Sequence, residues 1–229
     1  MSRRRVRAAV TALVIAAIAG LIALGVWQLQ RRTWKLALIA QTDRRLAAAP
    51  VPAPGPARWP AIGRDDAYTR VVATGRYLPD ADSFAQAVTD YGSGYWVMTP
   101  LDTGRFTVLV NRGFVPAEGR GRTPPPGGPV AVSGLLRVTE PGGGFLRSND
   151  PAADRWYSRD VAAIAAKRGL THVAPYFIDV DVDDQGWPRA GLTVVRFPNN
   201  HLVYALTWFG MAALLAIMAL RARGRHQED

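Results

Sequence analysis

The 229-residue chain contains no cysteine. Disulfides, thiolate nucleophiles and cysteine-based zinc or copper sites are therefore excluded, whatever the redox compartment. Histidine is scarce as well. His172, His201 and His226 lie far apart, and the four methionines are not clustered, which argues against a copper-handling motif. Lysine is nearly absent, 2 Lys against 26 Arg, a bias we ascribe to coding rather than function. Several catalytic signatures are missing too. There is no Gly-x-Ser-x-Gly elbow, and Gly142-Gly143-Gly144 lacks the Lys and Ser/Thr of a phosphate loop. The run Asp179-x-Asp181-x-Asp183-Asp184-x-Gly186 resembles a calcium loop, yet its sixth position is Asp184 rather than Gly and its twelfth is Ala190 rather than Glu. It reads as an acidic strand end and turn. His172 shows no partner in sequence and reads as a surface or packed residue. Nothing here compels an enzyme.

The net charge of +10 suggests nucleic acid until it is located along the chain. Residues 36–200 carry 18 Arg/Lys against 16 Asp/Glu, a net of +2, so the other +8 flanks two apolar runs. No basic stripe interleaved with aromatics marks a nucleic-acid groove.

The first run, residues 8–29, has no charge, and neither does the second, Leu202 to Leu220. Nineteen residues make a helix of about 28 Å, close to the hydrocarbon thickness of a bilayer. We therefore expect a basic tail at 1–7, a first transmembrane helix at 8–29, a second at 201–220, and a tail at 221–229. The first run is longer than a signal-peptide core and ends in Trp27-Gln28-Leu29-Gln30 without a small-x-small site, so it reads as an uncleaved anchor. Ala12, Ala16 and Gly20 on one span, and Gly210 and Ala213 on the other, predict close packing as a hairpin. Arg3, Arg4, Arg5, Arg7, Arg221, Arg223 and Arg225 place both termini in the cytoplasm, against Arg31, Arg32 and Lys35 on the far side. The central domain is then extracytoplasmic, on a bacterial inner membrane.

Helical spacing of Trp27, Arg31, Trp34 and Leu38 predicts a juxtamembrane extension over 30–46. Residues 47–60 hold five prolines and read as an extended linker. The domain at 61–200 has strand character at Tyr68–Tyr77, Tyr95–Leu101, Phe106–Phe114, Val130–Arg137, Tyr176–Val182 and Leu192–Phe197, with a hairpin turn at Asp102-Thr103-Gly104-Arg105. Ala117–Pro129, Gly or Pro at eight of thirteen positions, reads as a long mobile loop. One soluble helix is expected: Ser158 as N-cap, Val161–Arg168 as body, Gly169 as stop. The expected fold is α+β, a mainly antiparallel sheet or partial barrel with one or two helices, on a two-helix transmembrane hairpin.

The second span starts immediately after Asn199-Asn200. His201, Tyr204, Trp208, Met211 and Leu215 share one helix face there, aligning imidazole, two aromatics and a thioether. Two readings stand: a face for a flat apolar ligand, or a capped helix start with interfacial anchors. The same pair of readings applies to Trp27 with Arg31 and Arg32, whose guanidinium forks suit carboxylates.

The chain resembles the surfeit-locus cytochrome oxidase assembly proteins over nearly its whole length. The resemblance rests on Gly25-x-Trp27-Gln28-Leu29-x-Arg31-x-x-Trp34-Lys35, Gly75-x-Tyr77 and Gly94-Tyr95-Trp96-Val97-Met98-Thr99-Pro100-Leu101. It continues in Val110-Asn111-Arg112-Gly113-Phe114-Val115-Pro116, Val132-x-Gly134-x-Leu136-Arg137, Trp156-Tyr157-x-Arg159-Asp160 and Pro175-Tyr176-Phe177-Ile178-Asp179, and closes with Asn199-Asn200-His201-Leu202-x-Tyr204-Ala205-x-Thr207-Trp208-Phe209. What the resemblance implies is a non-enzymatic assembly factor for haem-copper cytochrome c oxidase, binding haem a transiently and aiding its insertion into the catalytic subunit. It implies His201 as ligand of the haem iron, with Tyr204, Trp208, Trp27, Arg31 and Arg32 as further haem contacts. Expected partners are the oxidase catalytic subunit, haem a synthase and membrane lipid, with no nucleic acid. The alternative is a scaffold that stabilises the nascent subunit without touching haem. Within the domain, Gly75, Gly94, Gly113 and Gly134 are expected to permit close strand approach, and Arg112 to hold a loop carboxylate.

Overall fold

The computed structural model describes residues 3–144, 146–181, 186–192 and 198–225. They belong to two units, Thr42–Val195 and, from the two chain ends, Met1–Gln41 with Arg196–Asp229.

In the central unit, strands are β1 (Val51–Pro52), β2 (Arg70–Tyr77), β3 (Ser83–Thr89), β4 (Gly92–Asp102), β5 (Thr107–Pro116), β6 (Pro129–Val138), β7 (Gly143–Gly144), β8 (Arg147–Ser148) and β9 (Val173–Val180). The main sheet runs β1-β2-β6-β9-β5-β4-β3. Its ends meet, because β2 also pairs with β4, Arg76 opposite Asp102 and Tyr77 opposite Leu101. A barrel of β2, β6, β9, β5 and β4 results, with β1 and β3 on its flanks. The pairs β1–β2 and β5–β9 are parallel and the other neighbours antiparallel. Closure demands close approach at Gly75, where a Cβ would collide with the Asp102 carbonyl.

Alternation along the strands separates two cores. Val71, Val108, Val110, Leu136, Tyr176 and Ile178 fill the barrel. On the outer face Leu109 and Phe177 pack with Met98, Trp156 and a short helix, α2 (Val161–Lys167), through Val161 and Ile164. Both faces of β5 are thus covered, so its residues are buried almost throughout rather than alternately, Asn111 and Arg112 included.

Four expectations are corrected. The Pro-rich stretch 47–60 is no free linker: β1 pairs with β2, Trp59 meets Phe106 edge-on at 5.7 Å, and the Tyr176 hydroxyl donates to the Pro54 carbonyl at 2.7 Å. β3 was not expected; it is zipped along β4 from Ser83 opposite Met98 to Thr89 opposite Gly92. The cap of α2 is Asp160, whose carboxylate accepts from Ala163 N at 3.1 Å, while Ser158 Oγ donates to the Glu140 carbonyl instead. The loop after β5 begins with a helical turn at Ala117–Gly119, and Arg112 grips it further on through the Thr123 carbonyl at 2.6 Å. Of the expected last strand, residues 193–197 lie outside the described residues, as does Val182 at the end of β9.

In the other unit, α1 (Arg3–Ala47) joins the expected tail, span and extension into 45 continuous residues, and α3 (His201–Arg225) begins at the expected histidine. Both are long and apolar enough to cross a membrane. At 1.5 Å per residue α1 measures roughly 67 Å, more than twice a hydrocarbon core of about 30 Å.

Candidate functional site

Up to Gln28 the less exposed positions of α1 are Thr11, Val14, Ile18, Leu21, Gly25 and Gln28; those of α3 are His201, Ala205, Trp208, Phe209, Ala212, Leu215, Ala216 and Ala219. The first set steps by alternating threes and fours, the 3.5-residue repeat of a helix–helix seam, and the second follows the same repeat widened by Phe209 and Ala216. The helices touch where those seams predict. Ala205 is fully buried, and a Cβ added to Gly25 would run into the Phe209 ring. One helical turn from Gly25, His201 Nδ1 lies 2.7 Å from Gln28 Oε1. The small residues singled out in sequence are not at this contact: Gly20 and Gly210 have no atom within 4 Å of where a Cβ would stand.

The Gln28 contact bears on the tautomer of the imidazole. An amide oxygen accepts, so this contact is a hydrogen bond when Nδ1 carries a hydrogen, and in a neutral ring that leaves the lone pair on Nε2. His201 is half-buried, and no hydrogen bond from its ring to the backbone is found among the described residues. The first intrahelical bond of α3 runs from Tyr204 N to the Asn200 carbonyl at 3.2 Å.

The other expected site residues divide into two groups. Tyr204, 54% exposed, and half-buried Trp208 flank His201 on α3. Arg32 follows Gln28 by one turn and is half-buried on the same stripe. Trp27 and Arg31 are on a different, exposed face of α1, where the Arg31 guanidinium lies 4.3 Å from the Trp34 ring centre. The structure therefore sets His201, Trp208 and Arg32 on the less exposed stripes of their helices, and leaves Tyr204, Trp27 and Arg31 exposed. Gln28 was missed as a functional residue. The signal was available: an amide within the last turn of an uncharged run must find a partner.

In the barrel unit the buried polar side chains serve architecture. Arg112 donates to Thr99 Oγ1 at 2.7 Å and to Asp82 Oδ2 at 3.1 Å, the loop carboxylate expected for it. Outside the barrel, buried Asp179 accepts from Arg137 and Asn111, each at 2.7 Å, and Arg159 bridges Asp179 to Glu140. Among the described residues no group of three or more His, Asp or Glu could hold a metal ion.

The SURF1 family model matches residues 15–213 of the chain. The chain belongs to the SURF1 family. It is 35% identical to the rat surfeit locus protein 1 over 222 residues, covering 86% of this chain and 70% of that protein. The human surfeit locus protein 1 is 34% identical over 215 residues, 83% of this chain and 69% of that one. A SURF1-like protein of Monosiga brevicollis is 31% identical over 227 residues, 88% and 83%. The family match takes in the barrel unit, Gln28 and His201 alike, so the seam belongs to the shared region rather than to an appendage.

Proposed function

We propose that this protein is a two-pass membrane assembly factor for haem-copper cytochrome c oxidase. It holds haem a transiently at His201 and aids its insertion into the catalytic subunit. The observation that carries the reading is the 2.7 Å contact of His201 Nδ1 with Gln28 Oε1 at the start of a membrane helix, which in the neutral ring leaves Nε2 as the donor for a ligand. Such a donor fits haem iron, which accepts an imidazole lone pair. The surroundings fit too. Tyr204 and Trp208 offer aromatic surface beside the ring, and Arg32 is the arginine on the His201 side that suits a propionate carboxylate. Trp27 and Arg31 form a second, outer aromatic and cationic face suited to lipid headgroups or to the edge of the same ligand. A lone histidine exchanges its ligand more readily than a bis-histidine site, which suits a carrier that receives haem a from haem a synthase and passes it on.

The spans pair as a hairpin, with both termini cytoplasmic and the barrel outside the cytoplasm, because seven arginines flank the outer ends of the spans. The role is not enzymatic. One observation favours a second reading, a scaffold for the nascent subunit: Gly20 and Gly210 are open, as they would be if a partner helix packed there.

The visible spectrum of protein purified from cells that make haem a separates the two. The carrier reading expects haem bands in the parent and their loss in His201→Ala. A variant that retains the parent's haem removes His201 as ligand, and a haem-free parent favours the scaffold.

A further inference from the structure

We infer that Gln28 is the positioning residue of the His201 site: it selects the imidazole tautomer and so decides which nitrogen faces the ligand. The inference rests on the haem reading above for its consequence, but its first step concerns only this chain. Neutral imidazole has one donor and one acceptor nitrogen, and either can carry the hydrogen. Gln28 Oε1 lies 2.7 Å from Nδ1, and because an amide oxygen accepts, the tautomer this contact stabilises carries its hydrogen on Nδ1. The lone pair is thereby placed on Nε2, the nitrogen farther from the backbone and free to reach a ligand beside α3.

The geometry makes this more than a chance contact. Gln28 and His201 come from opposite ends of the chain, 173 residues apart, and each occupies a seam position of its helix. Gly25 sets the spacing one turn away, since any side chain there would press on Phe209 and part the helices. An amide in an apolar span is costly unless bonded, so Gln28 is held to its partner as firmly as it holds it. Outer hydrogen-bond partners of this type fix the ring orientation of a ligating histidine and raise its basicity, and their loss weakens binding by about 10–100-fold.

A mere interhelical tie and a positioning residue make different predictions. In full-length, haem-free protein in detergent, ¹⁵N NMR of the His201 ring should show the hydrogen on Nδ1, and Gln28→Leu should lose that preference. Titrated with ferric haem a, Gln28→Leu should bind at least about tenfold more weakly than the parent. Gln28→Glu keeps the interhelical bond and replaces the amide by a stronger acceptor. It should retain haem and shift the reduction potential to more negative values. Hydrogen on Nε2 in the parent, or unchanged affinity in Gln28→Leu, would overturn the proposal. Where Gln28→Leu loosens the helix pair, an unchanged potential in Gln28→Glu overturns it instead. Haem retention by His201→Ala would sink the ligand reading alone, because the tautomer is measured without haem.

Discussion

Arg112 shows how a single buried charge organises one end of the barrel. Its side chain is buried, and its guanidinium serves Thr99, Asp82 and the carbonyls of Thr123 and Pro124. Nearby, burial pushes the Tyr77 hydroxyl up to about 12, with the Arg112 charge pulling the other way. Removing one member of such a group strands the others, and a buried ion pair broken on one side typically costs about 3–5 kcal/mol. Arg112→Leu should therefore lower stability by about that amount, read as a shifted urea midpoint of the full-length protein. Asp82→Asn keeps an oxygen for Arg112 and puts its amide nitrogen opposite the Thr99 hydroxyl, so one of the two bonds survives and the change should cost less, about 1–2 kcal/mol. A loss in Arg112→Leu below about 1 kcal/mol would mean that water replaces the guanidinium, contrary to its burial.

At the scale of elements, the helix seam is set by Gly25 rather than by the more obvious small residues. Gly25→Val should overpack against Phe209 and destabilise the pair by about 1–3 kcal/mol. Combining it with Phe209→Ala should recover much of the loss, whereas Gly20→Val and Gly210→Val, with open space around them, should leave it unchanged. Thermal unfolding in detergent followed by helical circular dichroism checks all four. Both helices and five of the strands were legible in sequence because each carries a local signal: an uncharged run, or β-branched and aromatic alternation bounded by turns. β3 carries none. Its Ser-Phe-Ala-Gln-Ala-Val-Thr is small and helix-tolerant, and it becomes a strand only because β4 offers a full ladder. The prolines of residues 47–60 predict an extended segment, and the chain is a strand only at Val51–Pro52 and turns helical at Pro56–Ala61; nor do they announce the Trp59 and Tyr176 contacts that bind the segment to the barrel. Gly20 and Gly210 were chosen over Gly25 for a related reason: spacing identifies a face, and only the partner helix identifies which face is used. His201 was legible as a candidate from its position; Gln28 was legible only as an amide that needs a partner, and which partner was not, since His201 lies 173 residues away.

The whole molecule combines two units with opposite sensitivities to acid. Residues 1–41 and 196–227 contain no Asp or Glu, whereas the barrel unit depends on carboxylates paired with arginine. Burial alone would raise Glu140, but the hydrogen bonds and charge of Arg159, with Arg137 beyond, outweigh it and hold the carboxyl below its ordinary value. Asp154 behaves alike, burial being overcome by Trp156 and Arg168. A carboxyl depressed in the folded state binds its proton first in the unfolded chain. Its stabilisation is therefore complete well above the ordinary carboxylate range of about 3.9–4.3, and is lost as pH falls through the lower folded value. The urea midpoint of the barrel, followed by tryptophan fluorescence, should be flat from pH 7 to about 5 and fall below about 4.3. Glu140→Gln should start lower at neutral pH and fall less steeply, so the two curves converge in acid; Glu140 is 37% exposed, and solvent screening keeps the gap small. Helical circular dichroism from the apolar runs of α1 and α3 should persist through the same window, because those runs hold no carboxylate to be protonated. A midpoint that rises on acidification would contradict the sign of both shifts. A helical signal lost together with the barrel would mean that the two units unfold as one cooperative body.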